Sequence, residues 1–156
     1  MRAVLIVHSY HHGNTRKVAD VMAEQLGAEV YTIETINPTE AALFDLIGFG
    51  AGIDTGKHYA PLLEFAAALP ESTSQKVFVF STAGIAGSRK KMLRDHEALH
   101  EILERKGYSI LGDFACKGHD TVGFLKRIGG INKGRPNADD LKAASRFAAG
   151  MLEMMG

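Results

Sequence analysis

The chain has 156 residues, 46% of them hydrophobic, which is enough for a single domain spanning 1–156 and excludes two large ones. Lysine and arginine number 18 against 18 aspartate and glutamate, so the formal net charge is +0 and no global field draws the chain to nucleic acid or an anionic membrane. One cysteine, Cys116, excludes an internal disulfide, a cysteine zinc cluster and a two-thiol redox motif.

In chain order, Ala3 to Val7 is a continuous apolar run, the pattern of a strand buried on both faces of a parallel sheet. It is shorter than the roughly 7–15 residues of a signal-peptide core or the ~18 of a membrane span, so a soluble, unprocessed, cytoplasmic protein without membrane insertion is expected. From Asn14 to Gly27, Val18, Val21, Met22 and Leu26 recur at helical spacing, with Gly27 as a stop. Val30 to Ile33 reads as a short β-branched strand and Asn37-Pro38 as a turn. Leu43 to Phe49 reads as a second central strand running into Gly50 and Gly52.

A helix is expected near Ala60 to Leu69 and a strand over Val77 to Phe80. A long amphipathic helix follows, with Met92, Leu93, His96, Leu99, Ile102 and Leu103 on its stripe and Gly107 at its end. Residues 108–116 make a fifth strand. Asn137 caps a last helix, near the capping-box pattern with Asp140, and Leu141, Ala144, Ala148 and Leu152 face inward from it. Strand and helix alternate throughout, which gives a three-layer α/β/α sandwich around a five-stranded parallel sheet.

Ligands of open parallel sheets bind beyond the carboxyl ends of the strands, where strand order reverses. Three turns there carry unusual residues. The first, Ser9-Tyr10-His11-His12-Gly13-Asn14-Thr15, opens a helix whose N-terminal amides and dipole suit a phosphate; the same residues are also good helix caps. The second, Gly50-Ala51-Gly52-Ile53-Asp54-Thr55-Gly56-Lys57-His58-Tyr59, is not an ATP-binding loop: Ala51 stands where a glycine is needed and His58 where a hydroxyl is needed. Nor does Gly48-Phe49-Gly50-Ala51-Gly52 have dinucleotide-fingerprint spacing. The third, Ser81 to Ser88, offers small residues and backbone amides. Together the loops outline one elongated slot.

On these residues the sequence resembles the flavodoxin family. Gly13-Asn14-Thr15 after the first strand is similar to its phosphate loop, and the second loop and Ser81-Thr82-Ala83-Gly84 are similar to the loops that flank the flavin. The stretches Cys116 to Thr121 and Gly129 to Asn137 resemble the tail of small prokaryotic members. The resemblance implies strand order 2-1-3-4-5 and one non-covalent FMN used in electron transfer. Ser9, His12, Gly13, Asn14 and Thr15 would hold the phosphate. Gly50, Gly52, Thr55 and Tyr59 would border one side of the ring, and Thr82, Ala83 and Gly84 the other.

The chain departs from the family's usual pattern in three ways. His11 and His12 precede Gly13 in place of a hydroxyl residue, the third loop has no aromatic, and the net charge is neutral rather than strongly acidic. Only Tyr59, with His58 beside it, is placed to cover a ring face. An open face admits a nicotinamide or quinone, so an FMN-dependent NAD(P)H or quinone reductase, or an oxidase of porphyrin-type substrates, is the alternative to a carrier serving redox partner proteins.

No side chain is assigned as catalytic. His11, His12, His58 and His119 fall in strand-end loops, and His8, His96 and His100 read as packing or surface residues. No metal site is expected, because the loops lack a third converging carboxylate or thiolate. Cys116 reads as a small core residue, and Asp54 as either a contact to the ring's imide edge or a turn former. Lys117, Lys126, Arg127, Lys133 and Arg135 face only Asp120 within 117–137, a basic stretch read as a solvated loop or a docking patch for an acidic partner. A phosphorelay receiver needs carboxylates after the first strand, where Val7-His8-Ser9 stands.

Overall fold

The computed structural model describes residues 1–9, 13–118 and 131–156. In chain order its elements are β1 (Ala3–His8), α1 (Asn14–Leu26), β2 (Glu29–Thr32), α2 (Pro38–Ala41), β3 (Leu46–Asp54), β4 (Lys57–His58), α3 (Ala60–Ala67), β5 (Lys76–Ala83), α4 (Arg89–Arg105), β6 (Ser109–Lys117) and α5 (Ala138–Met155). The main sheet runs β2-β1-β3-β5-β6, every pairing parallel, and β4 adds an antiparallel pair to the end of β3. Setting β4 aside, this is the expected order 2-1-3-4-5.

Alternate strand residues feed two cores. Val4, Ile6, Ile47, Phe49, Val77 and Val79 meet Leu62, Phe65, Leu99 and Leu103 from α3 and α4. Leu5, Val7, Leu46, Phe78 and Phe80 meet Val18, Met22, Ala144 and Ala148 from α1 and α5. A strand covered on both faces needs no polar alternation, which is why the apolar runs are continuous. Gly48 and Gly50 belong to the second core: a Cβ on them would come within 2.4 Å of Phe78 and 2.2 Å of Phe80, so their missing side chains make room for those rings.

The expected strand from Leu43 begins instead at Leu46, because Asn37 caps α2 by accepting the Glu40 amide, and that short helix carries the chain through a turn at 42–45. Leu43 is 70% exposed. Two helix stripes also differ from the expected ones. Leu93 and Leu152 are exposed, and Met151 takes the inward place on α5. The buried row there is Ala144, Ala148, Met151, and Leu152 lies about 100° of helix rotation away from Met151. The capping box joining Asn137 and Asp140 is present. No helix among the described residues is long and apolar enough to cross a membrane.

One irregularity re-aims the side chains of β6. Val77 pairs with Ile110 and Phe78 with Gly112, so Leu111 is an extra residue in that strand. A single inserted residue reverses the side-chain alternation beyond it. Ile110 packs on the α3/α4 side and Leu111 on the other; beyond the bulge Gly112 faces Met151 and Phe147 of α5, and Asp113 turns to α4.

Candidate functional site

From β1 the chain moves outward to β2, then returns past β1 to β3, so the strand order reverses between β1 and β3. The carboxyl ends of those strands and of β5 frame the crevice that such a reversal opens. Gly13 is the N-cap of α1, at φ 64°, a left-handed conformation that glycine adopts without strain. Gly13 offers no side-chain cap of its own, the first turn holds no carboxylate, and among the described residues no atom lies within 4 Å of where a Gly13 Cβ would sit. The first-turn amides of a helix lack intrahelical acceptors; here the Arg16 amide donates to Ser9 Oγ at 3.3 Å, folding the loop back on the helix. The result is a positively polarised terminus at the end of β1, with one first-turn amide taken by Ser9, chemistry that fits an anion.

The predicted hydroxyls are joined to each other. Thr15 Oγ1 and Thr82 Oγ1 lie 2.8 Å apart and buried, tying α1 to β5. One hydroxyl hydrogen spans that gap, and the second hydroxyl keeps a hydrogen to donate elsewhere. The Ala83 carbonyl accepts from the Gly118 amide at 3.0 Å and the Gly84 carbonyl from Asn132 Nδ2 at 2.6 Å. A trans peptide points its N–H opposite its C=O, so the Gly84 and Ile85 amides are turned away from these partners. Gly118 also lets Asn14 pack against the backbone after β6, since a Cβ there would meet Asn14 Nδ2 at 2.5 Å.

The second loop is a hairpin. Asp54 pairs with Lys57 across Thr55 (φ 50°) and Gly56 (φ 80°), the positive-φ pair of a two-residue turn, with Thr55 Oγ1 donating to the Asp54 carbonyl at 2.8 Å. Asp54 and Thr55 are both exposed. Tyr59, half-buried, lies over Gly52, where a Cβ would come within 2.5 Å of its ring, and meets His8 edge-on at 6.1 Å. Gly52 and Tyr59 thus form one surface at the ends of β1 and β3. Gly50, in contrast, is buried in the core under Phe80. His12, with Tyr10 and His11, lies outside the described residues.

His58 does not stand beside Tyr59 at the rim; it is fully buried. Its Nε2–H donates to the Phe80 carbonyl at 3.0 Å, and its Nδ1 has no hydrogen-bond partner among the described residues. Burial, with the nearby His96 adding to it, lowers its pKa to about 3, so the ring is neutral. Its centroid lies 4.8 Å from that of His96.

His96 and His100, one turn apart on α4, converge on Asp113 Oδ1 at 2.7 and 2.6 Å, and Ser81 Oγ stands 2.8 Å from His96 Nε2. A carboxylate only accepts, so both imidazoles donate to it and the Ser81 hydroxyl donates to His96 Nε2. Burial pushes the Asp113 carboxyl up, but the bonds from His100 and His96 outweigh it and hold it at about 2. The same contact raises His100. Sequence reasoning missed this cluster. His96 and His100 were legible as an i,i+4 pair, but Asp113 comes from another strand and faces them only because of the bulge at Leu111.

Cys116 is buried, and burial foremost, with Asp140 adding to it, pushes its thiol up to about 12, as an inert core thiol requires. In the basic stretch, Arg135 is held by a two-point pair with Asp140 at 2.5 and 2.7 Å, while Lys133 is exposed. Lys126, Arg127, His119 and Asp120 lie outside the described residues.

Comparison with known proteins matches this architecture to named relatives. The sequence pattern of the flavodoxin domain covers residues 5–149. An uncharacterised protein of Methanocaldococcus jannaschii is 41% identical over 153 residues, 98% of this chain and 99% of that one. Among solved structures, a flavodoxin from the domain Archaea superposes with a TM-score of 0.70 at 16% identity, covering 99% of this chain and 98% of its own. Oxidised flavodoxin 1 from Bacillus cereus gives 0.70 at 19% identity, covering 98% of both chains. At such identities the structural likeness speaks for the fold, and the sequence match carries the family: the chain belongs to the flavodoxin domain family.

Proposed function

We propose that the chain binds FMN in the crevice between the ends of β1 and β3 and works as a cytoplasmic electron carrier. The observation that carries this reading is the α1 terminus: a left-handed glycine N-cap with no side chain of its own and no first-turn carboxylate, at the point of strand reversal. The first-turn amides would hold the phosphate together with Asn14 and the free hydrogen of the Thr15–Thr82 pair. Tyr59 on Gly52 would cover one side of the ring, and the Gly84 and Ile85 amides would face its polar edge. A bound flavin supplies one- and two-electron chemistry, while the protein fixes its position and potential. With a net charge of +0 the chain opposes an anionic reduced ring less than an acidic carrier would.

The test is titration of the full chain with FMN and with riboflavin, followed by flavin fluorescence. One equivalent of FMN is expected to bind at least roughly tenfold more tightly than riboflavin, because charge-assisted bonds to the phosphate are the strong ones. Gly13→Val, which strains the N-cap, should remove most of that difference. Absence of binding, or equal affinity for the two flavins, overturns the reading.

A second reading, an FMN-dependent NAD(P)H or quinone reductase, is favoured by the lack of any aromatic among residues 81–88, which leaves that side of the crevice without a ring cover. Anaerobic mixing with NADPH separates the two: rapid flavin bleaching identifies the enzyme, and its absence the carrier.

A further inference from the structure

The part-buried polar cluster on α4 and β6 is not needed for the flavin site, and its chemistry points elsewhere. His96 and His100 lie on one face of α4 at i,i+4 spacing, and the bulge at Leu111 brings Asp113 opposite them. Their three donor atoms lie within 4.8 Å of one another, two imidazole nitrogens closing on one carboxylate oxygen. We propose that His96 Nδ1, His100 Nε2 and Asp113 Oδ1 form a binding site for one divalent first-row transition metal ion, clamping α4 to β6. The site stands whether or not a flavin is bound.

Charge supports the assignment. The Asp113 side chain is 10% exposed, and among the described residues no lysine or arginine pairs with it; the nearby Lys91 is spent on Asp95. The carboxylate's described partners are two imidazoles and no permanent cation, so a divalent ion can take the place of the imidazole hydrogens that now face it. The surroundings suit both states. Without metal, His96 donates from Nδ1 to Asp113 and accepts from Ser81 at Nε2. With metal on Nδ1, the ring proton moves to Nε2 and donates to Ser81 Oγ, the outer-shell bond that fixes the tautomer of a ligating histidine.

Two nitrogens and one oxygen are the donor set of zinc, iron(II), cobalt(II) or nickel(II), not of calcium or magnesium. Metal–ligand lengths of about 2.0–2.2 Å place tetrahedral donors roughly 3.4 Å apart, so the two contacts to Asp113 Oδ1 must open by roughly 0.7–0.8 Å and the two imidazole nitrogens, which lie within 4.8 Å of each other, must draw together. His100 can yield: its side chain is 21% exposed against 0% for His96, and it marks the way in from solvent. The chain Ser81–His96–Asp113 also has the connectivity of a hydrolytic triad, but Ser81 is 2% exposed and the adjoining cavity is about 10 Å³, room for one water and no acyl group.

The test uses the full chain, stripped with EDTA and desalted. Titration with Zn(II) by calorimetry and with Co(II) by visible absorption should each give one saturable equivalent, with cobalt ligand-field bands and a Zn(II)-dependent rise in Tm. His100→Ala, a change at the partly exposed ligand, should weaken binding by roughly tenfold or more and abolish the rise in Tm, with circular dichroism showing that the variant is folded. Asp113→Asn should do the same. No saturable binding to the wild-type chain overturns the proposal, and so does binding unchanged in His100→Ala, which would put the ion on other histidines.

Discussion

The two faces of the central sheet are built from the same strands by opposite means. Toward α1 and α5, β3 and β5 meet through shape: Phe78 and Phe80 lie over Gly48 and Gly50, and the layer stays apolar until the uncharged Thr15–Thr82 hydroxyl pair at the strand ends. Toward α3 and α4 the layer begins equally apolar, then turns polar near the carboxyl ends, where Ser81, His96, His100 and Asp113 share one largely enclosed hydrogen-bond network and the buried His58 ring lies against His96. The first face is sensitive to volume and indifferent to pH. The second holds titratable groups, among them a buried imidazole whose Nδ1 has no described partner, so protons and ions act on it. The strand ends between these faces carry the candidate flavin site.

The largest test of this contrast is acid. His58 is held neutral by burial, with its pKa taken from 6.5 to about 3, so the unfolded chain binds a proton that the folded chain refuses. Stability is therefore full above pH 6.5 and falls as pH drops toward 3, at up to about 1.4 kcal/mol per pH unit from this one group. Asp113, lowered to about 2, adds a loss in the same direction below pH ~4. Urea unfolding across this range, with EDTA present, should show the slope, and His58→Gln, which keeps a donor for the Phe80 carbonyl, should flatten its upper part. An unchanged slope in that variant would mean that the network is not what makes this face acid-sensitive.

A smaller effect is expected on the apolar face. Gly50→Ala puts a methyl 2.2 Å from the Phe80 ring, which is enclosed and cannot swing away. A loss of about 3 kcal/mol is expected from such overpacking, read as a lower urea midpoint that does not vary with pH. The smallest effect has the opposite sign. Gly150 lies inside α5 with nothing within 4 Å of an added Cβ, so Gly150→Ala should stabilise by about 0.8 kcal/mol through helix propensity alone. The two glycine variants together separate the packed side of this layer from the side of its helix that faces open space.

Local periodicity was enough to read the alternation of strands and helices, because apolar runs and helical stripes are short-range patterns that only one layered arrangement can bury. The helix start at the end of β1 was legible for a similar reason: a glycine before a helical stripe stands out, and Gly13 is the left-handed N-cap of α1. Folding decided what no local pattern encodes. The glycine at 50 was read as a ligand rim, and packing made it a seat for Phe80. His58, a loop residue by sequence, is sealed inside by the two-residue hairpin before it. Above all, Asp113 would face α5 by simple alternation; one extra residue at Leu111 turns it to meet two histidines of α4. Such convergence depends on registers between distant segments, and a register is a property of paired strands, not of either strand alone.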